Sequence, residues 1–536
     1  MRVTPARLRT AIGKLKLGKS SKDGVTAEIL LKLPDDALIA FAADMDRRCQ
    51  ELDFDKGWTD SAAVLTPKSH GAFSLDMFRP LACLVTMRKL LGYLWLASLP
   101  SLCFQTFQTA FVKGTHAMHG VFALLKAAEL SKEWGEPLYV AQLDLKKAFD
   151  HVDRGAAIDA LKLQGASLHT IAWITQLWDS HSLELRMGSI TTERFETTRG
   201  LPQGAPESPV VFTLIAEMVM RKLNGKWVQR QDQKVGFKID SWWLPSLAYA
   251  DDIILLARSK AALEYMIVEA SEAFAEVGLE VGHAKTNWSS CPPAPGTMLT
   301  AGPVQVQWAK TLRFVGVDID LQGNSASAIT HRMAQAQSTY GRWHSILLCP
   351  WIAPTRRCFL LIISVWNSLL WSAACWHPTK AMRNKLSSWG ARTMATVAGT
   401  RRSPTEDIGQ WWRRLHRSGH CVLQRHGADP EVARRKVLHR WAGHVARMPH
   451  NAQPAQALRT RSLQWWRHAQ SNHTDKKLTG VHKQRFGCWR WESQIGEVHG
   501  EGYGSNIGDN TGWLLKAQCR DSWRLAEAGF AAQRGH

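Results

Sequence analysis

Apolar positions in this chain alternate between period 2 and period 3.6 up to about residue 320, and follow mainly the longer period beyond it. Leu247-Ala248-Tyr249 and Ile253-Ile254-Leu255-Leu256-Ala257 flank Asp251-Asp252, which predicts strand, tight turn and strand, with the strands buried. Further strands are expected at 64–68, 137–144 and 312–317, the last with a bend at Gly316, and a pair at 183–187 and 190–195, while 78–82 follows the first after a loop. Helices are expected at 84–99, 118–134, 154–163, 168–180, 210–220 and 260–276, with Gly278 ending the last. Thr26 stands where it could cap a short helix. Residues 292–302 read as a loop. From about Ser325 helix follows helix, broken at Pro350, Pro354 and Pro378, and regularity fades after about residue 470.

Three stretches carry chemistry. Two adjacent carboxylates between apolar strands need a partner, because an unpaired buried charge costs several kcal/mol. No Lys or Arg lies within 247–257, so a hard divalent cation is one answer and an exposed Asp-Asp turn the other. Asp144 ends an otherwise apolar strand and is a second acidic candidate. In 198–209, Gly200, Gly204, Pro202, Pro206 and Pro209 forbid regular structure just before a helix, the arrangement that lets a backbone approach a ligand.

The bulk numbers narrow the partner. At 536 residues, 45% hydrophobic and 21% charged, the chain is long enough for several ordinary globular domains. A net charge of +21 favours a polyanion. The ten cysteines include no Cys-x-x-Cys pair, so no zinc ribbon or knuckle is expected. His416, His420 and Cys421 share helical spacing without a clear fourth ligand. No apolar leader follows Met1 and no apolar window is long enough for a bilayer span. The expectation is an intracellular protein of nucleus or cytoplasm, neither secreted nor membrane-bound.

Five short blocks in order give a resemblance. They are Asp144 with Ala148-Phe149-Asp150, then Gln203-Gly204-Ala205-Pro206-Glu207-Ser208-Pro209, then Tyr249-Ala250-Asp251-Asp252, then Gly278-Leu279 with Lys285, and finally Phe314-Val315-Gly316. Over roughly 18–316 the chain resembles a reverse transcriptase of the non-LTR (LINE-type) retrotransposon class. The resemblance implies an α+β right-hand polymerase, with fingers, a palm with an antiparallel sheet and a helical thumb, plus a basic α-helical C-terminal region. The expected boundaries are 1–135 for lead-in and fingers, 136–320 for the palm with part of the fingers, 321–400 for the thumb, 401–470 for a basic Trp/Arg-rich region and 471–536 for a poorly defined tail.

The resemblance also implies roles. Asp144, Asp251 and Asp252 become catalytic metal ligands for two Mg²⁺ ions, with Mn²⁺ as a substitute. Lys68 and Arg79 fall at positions that bind the triphosphate, and Phe149 where an aromatic crowds the sugar 2′ position. Gln203 and Gly204 would meet the template and the incoming pair, and Lys285 is either a general acid toward pyrophosphate or a neighbouring charge. The partners are then an RNA template, a DNA primer and dNTPs. No nuclease is visible on either side of the polymerase blocks, so a separate endonuclease activity is expected.

Glu207 departs from the family's usual apolar residue. That leaves a catalytically impaired, nucleic-acid-binding remnant as an alternative, alongside a group II intron-type enzyme. The segment 440–448, Arg-Trp-Ala-Gly-His-Val-Ala-Arg-Met, resembles one found downstream of such polymerases and suits either helix packing or base stacking and phosphate contact.

Overall fold

A computed structural model describes residues 2–532 apart from 69–70, 72, 75–76, 105–107, 113, 240–241, 283–284, 303, 449–490, 492–493 and 496–512. Most of the tail expected after 470, with Trp465-Trp466-Arg467-His468, lies outside the described residues.

The central element is a six-stranded sheet. Its strands are β3 (Leu138–Leu143), β9 (Ser246–Tyr249), β10 (Asp252–Ala257), β11 (Asn287–Cys291), β12 (Met298–Ala301) and β13 (Val304–Trp308), in the order β12-β13-β11-β3-β10-β9. All pairs are antiparallel except β11 with β13. Strands β3 and β10 lie inside it, and their alternate residues feed two cores. Ala141, Leu143, Ile253 and Leu255 face one core with α8 (Ser208–Trp227) and α9 (Lys260–Ala275). Leu138, Val140, Ile254 and Leu256 face another with α5 (Met118–Trp134). Burial on both faces is why β10 reads as an unbroken apolar run rather than an alternating one. Each Val, Leu or Ile side chain among them contributes about 1.5–3 kcal/mol by leaving water.

A second sheet stands beside it. Strands β1 (Ser61–Pro67) and β2 (Phe78–Cys83) form a hairpin, and β1 pairs parallel with β4 (Ser182–Met187). Strands β5 (Ile190–Thr191) and β6 (Phe195–Glu196) both pair with β4. The run expected at 190–195 is therefore two short strands. Helices α1 (Pro5–Ile12), α2 (Ala27–Leu31), α3 (Asp35–Glu51), α4 (Thr86–Leu96), α6 (Arg154–Leu163) and α7 (Leu168–Asp179) complete this half of the chain. Thr26 is the N-cap of α2, but its side chain makes no capping bond. A small hairpin, β7 (Phe237–Ile239) with β8 (Trp242–Leu244), precedes β9.

The strand expected at 312–317 is a hairpin, β14 (Leu312–Phe314) and β15 (Val317–Ile319), turning at Val315 (φ 50°) and Gly316 (φ 69°). The stretch read as a loop, 292–302, contains β12. Its four residues, set between prolines and glycines, are too few to show a period.

Beyond it come α10 (Ala326–Leu347), α11 (Pro354–Leu361), α12 (Lys380–Ala398), α13 (Ile408–His426), α14 (Pro430–Ala446) and α15 (Arg520–Ala532). Helices α10 to α13 share a core of their own built on Trp366, Leu386, Met394 and Leu423. Helix α14 returns to the central sheet, with Trp441 edge-on to Phe122 of α5 and His444 Nε2 3.4 Å from His119 Nε2. Of the two roles open to 440–448, Trp441 and His444 have the packing one. Helix α15 packs on α14, where Trp523 Nε1 donates to the His439 carbonyl at 2.8 Å. No helix among the described residues is long and apolar enough to cross a membrane.

Candidate active site

The β9–β10 turn sits at one end of the central sheet, and register brings Asp144 to it. Tyr249 pairs with Asp252, and Ile253 pairs with Leu143 of β3, so Asp144 leaves β3 level with the turn. Ala250 turns the chain at φ 55°, where L-residues are uncommon. Its amide is met by the side-chain carbonyl of Gln108 at 3.4 Å, and Gln108 bridges to Ala248 from a segment that reads as plain loop.

Asp251 and Asp252 both sense the Asp144 charge. Burial raises the pKa of Asp251, Asp144 raises it further, and Arg79 opposes both. Asp251 keeps solvent contact, yet desolvation is the largest cause of its shift. Asp252 is pushed up to about 6 by burial first, then by Asp251 and Asp144, against a hydrogen bond from the Val315 amide at 3.2 Å. Paired acids left without a cation behave this way. Among the described residues no group of three His, Cys, Asp or Glu side chains is already drawn into a cation cage. The donor set nonetheless suits a hard divalent ion: oxygen ligands, mutual repulsion and raised pKa values that such an ion would lower.

Asp144 is held by residues that motif reading passed over. Its carbonyl accepts from Gly282 N–H, and its own amide reaches Thr286 Oγ1 at 3.4 Å. A Cβ on Gly282 would stand 2.7 Å from Asp144 Oδ2, so only glycine leaves that carboxylate room. Lys285, largely exposed, has Nζ 3.9 Å from Asp144 Oδ2. Such a long, solvated pair is a weak one.

The glycine-proline loop closes a second wall. Leu201 N–H donates to the Phe149 carbonyl at 2.7 Å and Gly200 N–H to Val152 at 2.9 Å, which fastens the loop to the turn after Asp144. Gln203 Nε2 donates to Asp150 Oδ1 at 2.8 Å, and the Gln203 carbonyl accepts from Ala82 N–H of β2 at 2.7 Å. Gly204 has φ 123°, and a Cβ there would lie 2.7 Å from the Ala82 carbonyl. Phe149 stacks on Phe212 of α8 with ring centroids 4.8 Å apart. Arg79 lies on β2, while Lys68 lies just past β1 on the same hairpin. Between this sheet and the loop opens a cleft of about 310 Å³, lined by Leu65, Phe78, Leu183 and Phe195 with Gln203 and Arg199.

Glu207 is fully buried and ion-paired with Arg88 of α4, itself fully buried. Gly92, one turn along α4, has no side chain where the Glu207 carboxylate lies. The departure at 207 is thus matched by two residues of another helix.

Hairpin β14–β15 is anchored against the acids. Besides the Asp252–Val315 bond, Arg313 N–H donates to Gln142 Oε1 at 3.0 Å and Trp371 Nε1 to the Val315 carbonyl at 3.4 Å.

A sheet with three acids at one end, a strand hairpin and glycine loop beside it, and a helical bundle following fits the right-hand plan that the sequence blocks imply. Residues 67–319 match the family model described as reverse transcriptase (RNA-dependent DNA polymerase). The chain is 27% identical over 225 residues to the Pol polyprotein of a type-1 retrotransposable element R2 of Nasonia vitripennis, covering 42% of this chain and 21% of that one. It is 28% identical over 235 residues to the corresponding protein of Bradysia coprophila, covering 44% and 26%. The chain thus spans about a quarter or less of the length of these relatives. Apo telomerase from Candida tropicalis is a fainter likeness, TM-score 0.36 at 13% identity over 75% of this chain and 69% of that one, and supports no inference. Over the matched region the chain is thus similar to the reverse transcriptases of non-LTR (LINE-type) retrotransposons.

Proposed function

We propose that the chain is an RNA-directed DNA polymerase of a retrotransposon, adding dNTPs to a DNA primer 3′-OH on an RNA template. The observation that carries this reading is the β3–β10 register, which aligns Asp144 with the Asp251-Asp252 turn. In this reading the domain plan is fingers within 1–135, palm within 136–320, thumb at 321–400 and a basic region from 401.

Asp144 and Asp251 would hold two Mg²⁺ ions, which neutralise the triphosphate and acidify the primer hydroxyl when bound. Asp252 adds negative charge and fixes the Val315 amide, orienting the β14–β15 hairpin beside the primer end. Arg79, in electrostatic reach of Asp251, and Lys68 on the same hairpin bind the triphosphate from the fingers side. Gln203, kept in place by Asp150, and Gly204 line the wall met by the new base pair. Phe149 blocks a 2′-hydroxyl, and its stacking on Phe212 stiffens that block. Lys285 stands near enough to Asp144 to give a proton to, or balance the charge of, the leaving pyrophosphate.

Extension of a DNA primer on an RNA template by the purified chain, dependent on Mg²⁺ or Mn²⁺, is the expected result. Asp251→Asn should abolish it while leaving template–primer binding intact. Undiminished extension by that variant would refute the mechanism. A wild-type chain that binds template–primer but never extends it would favour the remnant.

A further inference from the structure

Helix α13 has two unlike faces. Leu415, Gly419 and Leu423 are buried, and Gly419 meets the Ala391 backbone of α12 so closely that no Cβ fits there. Arg392 of α12 lies over the Trp412 ring, 5.8 Å from its centroid, so this tryptophan belongs to the packed side. The opposite face presents Arg413, Arg417 and Arg425, all exposed. Residues 408–426 contain no Asp or Glu.

The helix's own needs do not explain this face. Arg414 is paired with Glu406 at 2.6 Å. Arg413 reaches only the Gly409 carbonyl of its own helix, at 3.2 Å, and no carboxylate partner of Arg413, Arg417 or Arg425 is found among the described residues. Arg413 and Arg417 are four apart, where like charges on a helix repel. Arg425, in the last turn, gains from the helix dipole, but the other two do not. The helix packs on α12, which packs in turn on α11 and α10.

The geometry points to the arginine face of α13 as a docking surface for double-stranded DNA, separate from the polymerase cleft. The three arginines span about 18 Å of helix axis at 1.5 Å per residue. A helix with its side chains is roughly 10–12 Å across, which matches the ~12 Å major groove of B-form DNA, so phosphates on its rim fall within guanidinium reach. The A-form major groove is too narrow to admit it. The contacts are to phosphates, so the surface holds duplex DNA without selecting its sequence.

The test uses the full chain with Arg413, Arg417 and Arg425 all changed to Gln, and a second variant with all three changed to Lys. Affinity for a 30-base-pair DNA duplex and for the same sequence as duplex RNA is measured against salt. The Gln variant should bind DNA about tenfold or more weakly at low salt, with the slope of log affinity against log salt about 2.7 units shallower. The Lys variant should keep the slope, and RNA affinity should hardly change. Unchanged DNA binding with an intact fold would overturn the proposal, as would an equal loss for duplex RNA. Asp251→Asn in the same assay should bind DNA like wild type, so the outcome does not depend on whether the polymerase reading survives.

Discussion

The Arg88–Glu207 pair offers the sharpest test of how this site is built. Both side chains are fully buried, one on α4 and one at the start of α8 beside the glycine-proline loop. Their compensation is incomplete. Arg88 Nε and Nη1 and Glu207 Oε2 have no hydrogen-bond partner. Removing one partner leaves an uncompensated buried charge, so Arg88→Met and Glu207→Leu should each cost about 3–5 kcal/mol. Replacing both by apolar side chains of similar length removes both charges at once and should fall within about 1–2 kcal/mol of wild type, since buried pairs exchanged for apolar groups are often neutral. Gly92 leaves space beside position 207 for the branched leucine. The assay is thermal unfolding of the four proteins of the cycle. At about 2–4 °C per kcal/mol for a domain of this size, each single variant should melt roughly 6–20 °C lower, and the double variant within a few degrees of wild type. If the two losses simply add in the double variant, the pair is not the reason position 207 tolerates an acid. Activity of the double variant on primer–template would show further that Glu207 is a structural exchange and not a sign of decay.

Three other outcomes follow from the geometry. Gly282→Ala puts a methyl 2.7 Å from Asp144 Oδ2, and displacing that carboxylate by about 1 Å should cut single-turnover extension on the order of a hundredfold with little change in melting; undiminished extension would show the carboxylate free to move. Phe149→Val should raise ribonucleotide incorporation relative to deoxyribonucleotide, and unchanged sugar discrimination would reduce Phe149 to a packing partner of Phe212. Asp252 titrates near 6 in the cation-free protein, above its unfolded value near 3.8, so its contribution to stability is present at low pH and lost as pH rises from about 4 through 6. Divalent-cation affinity should accordingly strengthen as pH rises through 6, with proton release on binding by calorimetry, and the dependence should shrink in Asp252→Asn.

Some of this was fixed by residue order alone. The helices at 118–134 and 154–163 have the expected bounds, because apolar residues at helical spacing dictate which face is buried wherever the partner lies. The Asp251-Asp252 turn is legible for a similar reason, since two charges between apolar strands allow few local conformations. Other features depend on residues far apart in the chain. Strand β11, Asn-Trp-Ser-Ser-Cys, is polar by composition and becomes a strand because β3 and β13 satisfy its backbone on both sides. Gly282 means nothing until Asp144 is seen against it, and Gln108 looks like loop until its carbonyl meets the Ala250 amide. Glu207 reads as a flaw until Arg88 and Gly92 are folded against it. Sequence patterns report what a residue needs, burial or a partner; only the packed chain decides which distant residue supplies it.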